Sequence, residues 1–312
     1  MKKIILHEAG SVDNLKYIDA PIPEIKEDEV LVKVASLSVN PVDCKSRASE
    51  GSLSWLFGSE RPVTLGWDLS GVIEKTGSKV VNFKIGDEVF GMANFPGNGS
   101  AYAEFVAVPS SHLTLKPNAI SHQEAAAATL APLTAWQILK PNIKQGDKVL
   151  IHGASGGVGH YATQIAKYLG AYVIGTSSSK NKDFVLQNGA DQHIDYTTED
   201  FKKLSDVDFV FDTVAGNSIE QLIESTRSGG KIVTIPSSAI PQEYLDKAKN
   251  KNVDLSFVLV KSSGEDMTII ADLLEKGILK SHVSKTFSFD EMSKAHLQLQ
   301  TGRTVGKVVV NL

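Results

Sequence analysis

The sequence predicts an α/β protein in which a barrel-like antiparallel sheet is joined to a doubly wound parallel sheet, and three observations carry that reading. Short β-rich runs separated by turn residues fill the first third of the 312-residue chain. From about residue 121 strands alternate with helical patterns, as in a parallel sheet covered by helices on both faces. The tail from Ser281 turns β-like again and ends in Gly306, Lys307, Val308, Val309 and Val310, a strand free to rejoin the first sheet.

Each element follows from its own pattern. Residues 29–39 alternate apolar and polar side chains over much of their length, and further β-rich runs lie at 69–73, 88–91 and 103–108. Turn residues separate them at 50–52, 84–87 and 95–100, the last containing Pro96, Gly97 and Gly99. Ser121 with Glu124 three residues later has the form of a capping box ahead of the apolar run 125–130. The chain then reads strand 148–152, helix 158–169, strand 172–176, helix 180–188, strand 207–214 and strand 232–235. The charged runs at 198–203 and 247–251 read as solvated surface.

Composition excludes several classes of function. Lys and Arg number 32 against 36 Asp and Glu, a net charge of −4, so the basic excess of a nucleic-acid binder is missing. Only three apolar residues separate Lys3 from His7, too few for the core of a secretion signal. The longest nearly apolar stretch, 125–139, contains Pro132 and Gln137 and falls short of the ~20 residues of a membrane span. A single cysteine, Cys44, can form neither an internal disulfide nor a four-cysteine zinc loop, and a reducing cytoplasm is the expected compartment.

The most informative stretch is the strand 148–152 running into Gly153, Ser155, Gly156, Gly157, Gly159 and Ala162. Gly157-x-Gly159-x-x-Ala162 fits the dinucleotide fingerprint, whose small residues allow a tight turn, close approach to a pyrophosphate and helix packing. Val158, Ala162, Ile165, Ala166 and Leu169 share one face of the following helix, and Gly170 ends it. Gly153-x-Ser155-x-Gly157 also satisfies the nucleophile elbow of hydrolases, with Asp212 and then His282 or His296 in the required order. Gly159 and Ala162 favour the dinucleotide, because an elbow does not require them. Beyond the second strand an NAD site carries Asp or Glu about 20 residues after the glycines. Here residues 176–182 offer Thr176, Ser177, Ser178, Ser179, Lys180 and Lys182, which suit a 2′-phosphate and point to NADPH.

Taken in order, several segments resemble the medium-chain dehydrogenase/reductase superfamily and its zinc-free quinone oxidoreductase branch. They are Ser38 to Asp43, Leu65 to Val72, Ile85 to Val89, Pro132 to Trp136, the glycine loop, Gly189 to Tyr196, and Gly302 to Lys307. The resemblance implies a GroES-like β-barrel catalytic domain at 1–124, a Rossmann NADPH-binding domain at 125–280, and a C-terminal segment, 281–312, returning to the first. Zinc-dependent relatives have a Cys ligand where this chain has Asn40 and a Gly-His-Glu segment where it has Gly66, Trp67 and Asp68, so the resemblance implies no metal.

By the same resemblance Asn40 and Thr134 would stand beside the nicotinamide as the catalytic pair. Ser155, Gly156, Gly157 and Val158 would meet the pyrophosphate, and Ser178, Lys182 and Tyr196, with Lys180 as an alternative cation, the 2′-phosphate. Thr213 would lie near the ribose, and Ile235, Val258, Val260, Arg303 and Thr304 would line the nicotinamide side. The implied activity is NADPH-dependent hydride transfer to a small hydrophobic quinone or α,β-unsaturated carbonyl. An enoyl-thioester or alkenal reductase and a noncatalytic NADPH-binding protein are the alternatives. Trp55, Leu56 and Phe57 either line a pocket for a planar substrate or cover the barrel end. Relatives often pair through the edge of the Rossmann sheet, so a homodimer is admitted.

Overall fold

A computed structural model describes residues 1–199, 204–214, 216 and 218–312. Residues 1–133 and 260–312 form one compact unit and residues 134–259 another. The charged run expected at 198–203 lies largely outside the described residues.

The first unit begins with the hairpin of β1 (Lys2–Leu6) and β2 (Leu15–Asp19). The long strand β3 (Glu29–Val39) runs through the middle of the main sheet, burying Val30, Val32, Val34, Leu37 and Val39. Pro41, which has no N–H to leave unpaired, starts α1 (Pro41–Ala48), and Ser49 caps α2 (Glu50–Phe57). β4 (Asp68–Thr76), β5 (Glu88–Met92), β6 (Phe105–Pro109) and β7 (Leu113–Leu115) complete the first antiparallel set. The expected capping box opens α3 (His122–Ala127): Ser121 N–H donates to Glu124 Oε2 at 2.9 Å, and Glu124 N–H to Ser121 Oγ at 3.2 Å.

Helix α4 (Leu130–Asn142) carries the chain into the second unit. There β8 (Lys148–His152), α5 (Gly157–Tyr168), β9 (Tyr172–Ser177), α6 (Lys182–Gln187) and β10 (Gln192–Asp195) are followed by a second half. That half holds β11 (Val207–Asp212), α7 (Ile219–Ser225), β12 (Thr226–Thr234), α8 (Gln242–Asn250) and β13 (Asp254–Phe257). All neighbours are parallel, in the order β10-β9-β8-β11-β12-β13. Strand order reverses between β8 and β11, which opens a crevice at their carboxyl ends. Leu150, Ile174, Val210 and Ile232 from four strands and Leu222 and Ile223 from α7 make one dry core beneath.

Back in the first unit come α9 (Gly264–Glu275), β14 (Val283–Ser288), α10 (Met292–Gln300) and β15 (Lys307–Asn311). β15 runs antiparallel to β3, Val308 opposite Val39, and parallel to β14, so the tail rejoins the first sheet. The expected boundaries at 124/125 and 280/281 stand beside unit boundaries at 133/134 and 259/260. The offset arises because α3 packs on β3 and β4 and α9 on β7, so both helices go with the antiparallel sheet. The helix expected at 180–188 begins instead as a 3-10 turn, Ser179–Asn181, where short polar side chains favour turn geometry.

Candidate active site

Where β8 gives way to α5 the backbone folds tightly on itself. Gly153 has a φ of +83°, and a Cβ there would lie 2.6 Å from Thr213 Oγ1 and from Val214. A Cβ at Gly159 would stand 2.1 Å from the Gly153 carbonyl oxygen, so the first turn of α5 rests directly on the loop. Gly156 caps that helix without a side chain, and Gly157 and Val158 form its opening turn, whose N–H groups have no intrahelical acceptor. Thr176 steadies the loop from β9: its carbonyl accepts Ala154 N–H at 2.9 Å, and its hydroxyl oxygen accepts Gly153 N–H at 3.1 Å. Thr213, just past β11, donates its hydroxyl to the His152 carbonyl at 2.7 Å. Ser155 accepts from Asn181 Nδ2 at 3.1 Å. A nucleophile elbow would have set that hydroxyl on a histidine.

Beside the loop, Tyr196 N–H reaches the Ser177 carbonyl at 3.4 Å, because β10 pairs with β9 in the register Asp195 opposite Ser177. Ser178, Lys180, Lys182 and Tyr196 therefore gather at the carboxyl ends of these two strands. Both lysines are exposed, and neither forms a salt bridge among the described residues; Tyr196 is 55% exposed. The carboxylate that precedes Tyr196, Asp195, faces the backbone. Its Oδ1 accepts Thr197 hydroxyl and N–H at 2.7 and 2.9 Å, and its Oδ2 accepts Ser179 N–H at 3.0 Å. Those bonds, Thr197 first, hold its carboxyl below the usual range. His193 Nε2 lies 2.8 Å from Ser177 Oγ. Ile235 and Val258 sit half-buried just past β12 and β13, their N–H groups on Asp212 and Thr234 carbonyls at 3.2 and 3.3 Å. Thr134 is buried within α4.

The first unit holds a different environment, a buried polar cluster. Asn40, Asp43, Asp68, Tyr102, His296 and Lys307 are all buried there. Asn40 N–H donates to Asp43 Oδ2 at 2.6 Å, closing the start of α1. Asn40 Nδ2 donates to Asp68 Oδ2 at 2.8 Å, and Lys307 Nζ donates to Asn40 Oδ1. Asp68 Oδ1 accepts Leu130 N–H at 3.1 Å. Burial, above all, pushes the Asp43 carboxyl up to about 7 and the His296 imidazole down to about 3. His296 Nε2 meets the Tyr102 hydroxyl at 3.0 Å.

Other expected residues have plainer surroundings. Val260 is buried, Arg303 is exposed on the turn after α10, and Thr304 shares a 3.3 Å hydrogen bond with Gln298. Trp55, Leu56 and Phe57 lie in α2 and divide: Trp55 is 58% exposed, whereas Phe57 packs on Trp67 with ring centroids 5.6 Å apart. The sequence, in which Asn181, His193, Asp195, Asp68 and Lys307 stand within longer segments, assigns none of the five a role in the site.

Two family models match the chain: an alcohol dehydrogenase GroES-like domain over residues 26–118 and a zinc-binding dehydrogenase over 188–310. The 2-methylene-furan-3-one reductase of Solanum lycopersicum is 36% identical over 323 residues, covering 100% of this chain and 79% of that protein. The chain belongs to the medium-chain dehydrogenase/reductase superfamily. Another relative, the chloroplastic NADPH-dependent alkenal/one oxidoreductase of Arabidopsis thaliana, is 33% identical over 99% of this chain and 79% of its own length. The quinone oxidoreductase of Coxiella burnetii superposes with a TM-score of 0.93 at 36% identity, covering 100% of this chain and 99% of that one.

One of the two superfamily descriptions names zinc, and the residues here do not fit that ion. Asn40 offers an amide already bonded on both sides, and Trp67 donates its indole N–H to the Gly97 carbonyl at 2.7 Å. Asp68, the carboxylate bonded to Asn40's side chain, lies 3.4 Å from the Lys307 ammonium, a positive charge that opposes a dication. Among the described residues no group of three or more His, Cys, Asp or Glu side chains is arranged to hold a metal.

Proposed function

We propose that this protein is an NADPH-dependent, zinc-independent reductase of quinones or α,β-unsaturated carbonyls. The observation that carries the reading is the loop at the ends of β9 and β10, where exposed Lys180, Lys182 and Tyr196 stand and the adjacent carboxylate is turned to the backbone. A ribose 2′-hydroxyl calls for a carboxylate acceptor, and a 2′-phosphate calls for donors and cations. The glycine loop suits a pyrophosphate: a Cβ at Gly153 would strike Thr213 and Val214 and one at Gly159 the Gly153 carbonyl, so only bare backbone makes this tight turn into the N-terminus of α5. The named substrates of the tomato and Arabidopsis relatives are a methylene-furanone and alkenals or enones, and the Coxiella protein is named for quinones. Each carries a C=C conjugated to C=O, the shared feature that supports the substrate class.

In this reading Ser155, Gly156, Gly157 and Val158 hold the pyrophosphate. Ser178, Lys180, Lys182 and Tyr196 hold the 2′-phosphate, and Thr213 orients the ribose through its oxygen. Ile235, Val258, Val260, Arg303 and Thr304 border the nicotinamide. The reduced nicotinamide supplies the hydride when bound. Asn40 and Thr134 act as donors toward the oxygen that gains negative charge, lowering the barrier without giving up a proton; solvent provides that proton. No metal takes part, a homodimer forms through an edge of the parallel sheet, and a cytoplasmic location suits a chain whose one thiol is buried. Among the described residues no helix is long and apolar enough to cross a membrane.

Stereospecifically deuterated NADPH tests the reaction. Deuterium should arrive at the β-carbon of an enone while the α-hydrogen comes from solvent. Product free of deuterium overturns the reading.

A further inference from the structure

Lys307 is 3% exposed, and the carboxylate within salt-bridge distance of it among the described residues, Asp68 at 3.4 Å, is 0% exposed. Burying such a pair costs several kcal/mol per ion, and apolar side chains of the same volume serve a fold equally well or better. The charges therefore call for a reason other than packing. Topology supplies the setting: β3 runs between β15 and β4, and Lys307 begins β15 as Asp68 begins β4. Asn40, the residue after β3, falls between them. Gly306, with a φ of +67°, turns the chain there, and Lys307 N–H donates to the His282 carbonyl at 2.8 Å.

The chemistry of the two flanking groups fixes the amide between them. An ammonium only donates, so it must face Asn40 Oδ1; a carboxylate only accepts, so it must face Nδ2. With a neutral neighbour on either side the amide could turn over, but here both ends resist it. Asp68 is itself held by the Leu130 N–H at the first residue of α4. One hydrogen on Asn40 Nδ2 is used by Asp68, and the second has no acceptor among the described residues.

We propose that Lys307 is a positioning residue of the reductase: with Asp68 it clamps the Asn40 amide in a single orientation, so that the second Nδ2 hydrogen serves as a fixed donor to the substrate oxygen. The inference rests on the function proposed above. Asn40 touches the substrate; Lys307 acts only through Asn40.

Two measurements test it. In a neutron structure of the unmodified protein, which distinguishes Oδ1 from deuterated Nδ2, Oδ1 should face Lys307; the reverse orientation overturns the clamp. The second compares the parent with the double variant Lys307→Met, Asp68→Asn. Lys307→Met alone leaves a buried uncompensated carboxylate and is expected to fold poorly, whereas the double variant removes both charges together. It should melt near the parent temperature and bind NADPH with the parent dissociation constant, yet lose at least 10-fold in kcat. A role in charge balance alone predicts full recovery of turnover, so a double variant within twofold of the parent overturns the proposal and leaves the reductase reading standing. A double variant that does not fold makes the pair a structural requirement and overturns the proposal too. A parent inactive toward quinones, enals and enones alike overturns both.

Discussion

Asp43 and His296 share one buried neighbourhood and respond to pH with opposite signs. Folded Asp43, pushed up to about 7 from an ordinary 3.8, keeps a proton between those values that the unfolded chain releases, so its contribution to stability falls as pH rises. Folded His296, pushed down to about 3 from 6.5, lacks a proton that the unfolded chain binds, so its contribution rises over that range. In the parent the two slopes largely offset each other. Asp43→Asn should gain stability relative to the parent by up to about 4 kcal/mol between pH 4 and pH 8. His296→Gln should show the opposite trend relative to the parent from pH 3 to 6.5. Urea titrations at stepped pH decide this, and a difference that stays flat with pH refutes the burial account. Asn40 and Thr134 call for kinetics instead. Each substitution to Ala should cut turnover by ~10- to 1,000-fold, the range of a lost oxyanion donor, with NADPH affinity largely kept. Parent-like turnover in both variants removes them from the chemistry.

The strand-loop-helix unit of β8 and α5 and the loop after β9 set the choice of cofactor. Charge-assisted hydrogen bonds to a phosphate contribute roughly 1.5–3 kcal/mol each. Replacing Lys180 and Lys182 by Ala together with Tyr196→Phe should therefore raise the KM for NADPH far more than that for NADH, and equal changes would rule out a 2′-phosphate site there. Gly153, Gly159 and Ala162 were legible in the sequence because their requirement is local: a turn and a helix start within ten residues of each other. The donor loop at 176–182 was legible for the same reason. The clamp was not, since Asn40 meets Asp68 across 28 residues and Lys307 across 267, separations that spacing does not encode. Asp195 escaped notice because its role is to hold Ser179, 16 residues earlier, through a strand pairing. The short strands β10 and β13, four residues each, carry too little pattern to stand out as strands.

At the scale of the whole chain, the second unit is one continuous segment, 134–259, whereas the first is assembled from 1–133 and 260–312. The β-like tail foretold that return, because Val308, Val309 and Val310 have no reason to sit in water. The unit boundaries were less visible, since α3 and α9 have helical patterns that do not say which sheet they cover. β15 lies between β14 and β3, and the three valines are 0% exposed. Burial of each contributes roughly 1.5–3 kcal/mol, so together they are comparable with the ~5–15 kcal/mol of net stability a domain has. Ending the chain at Gly306 also deprives Asp68 of its cation and Asn40 Oδ1 of its donor. The truncated protein should lose amide-exchange protection along β3 and β14 while β8, β9 and β11, built around the core of Leu150, Ile174 and Val210, keep theirs. Hydrogen exchange read by mass spectrometry resolves these strands. Parent-like protection of β3 in the truncated chain would show that β15 is dispensable, and loss of protection in β8 as well would show that the second unit does not stand on its own core.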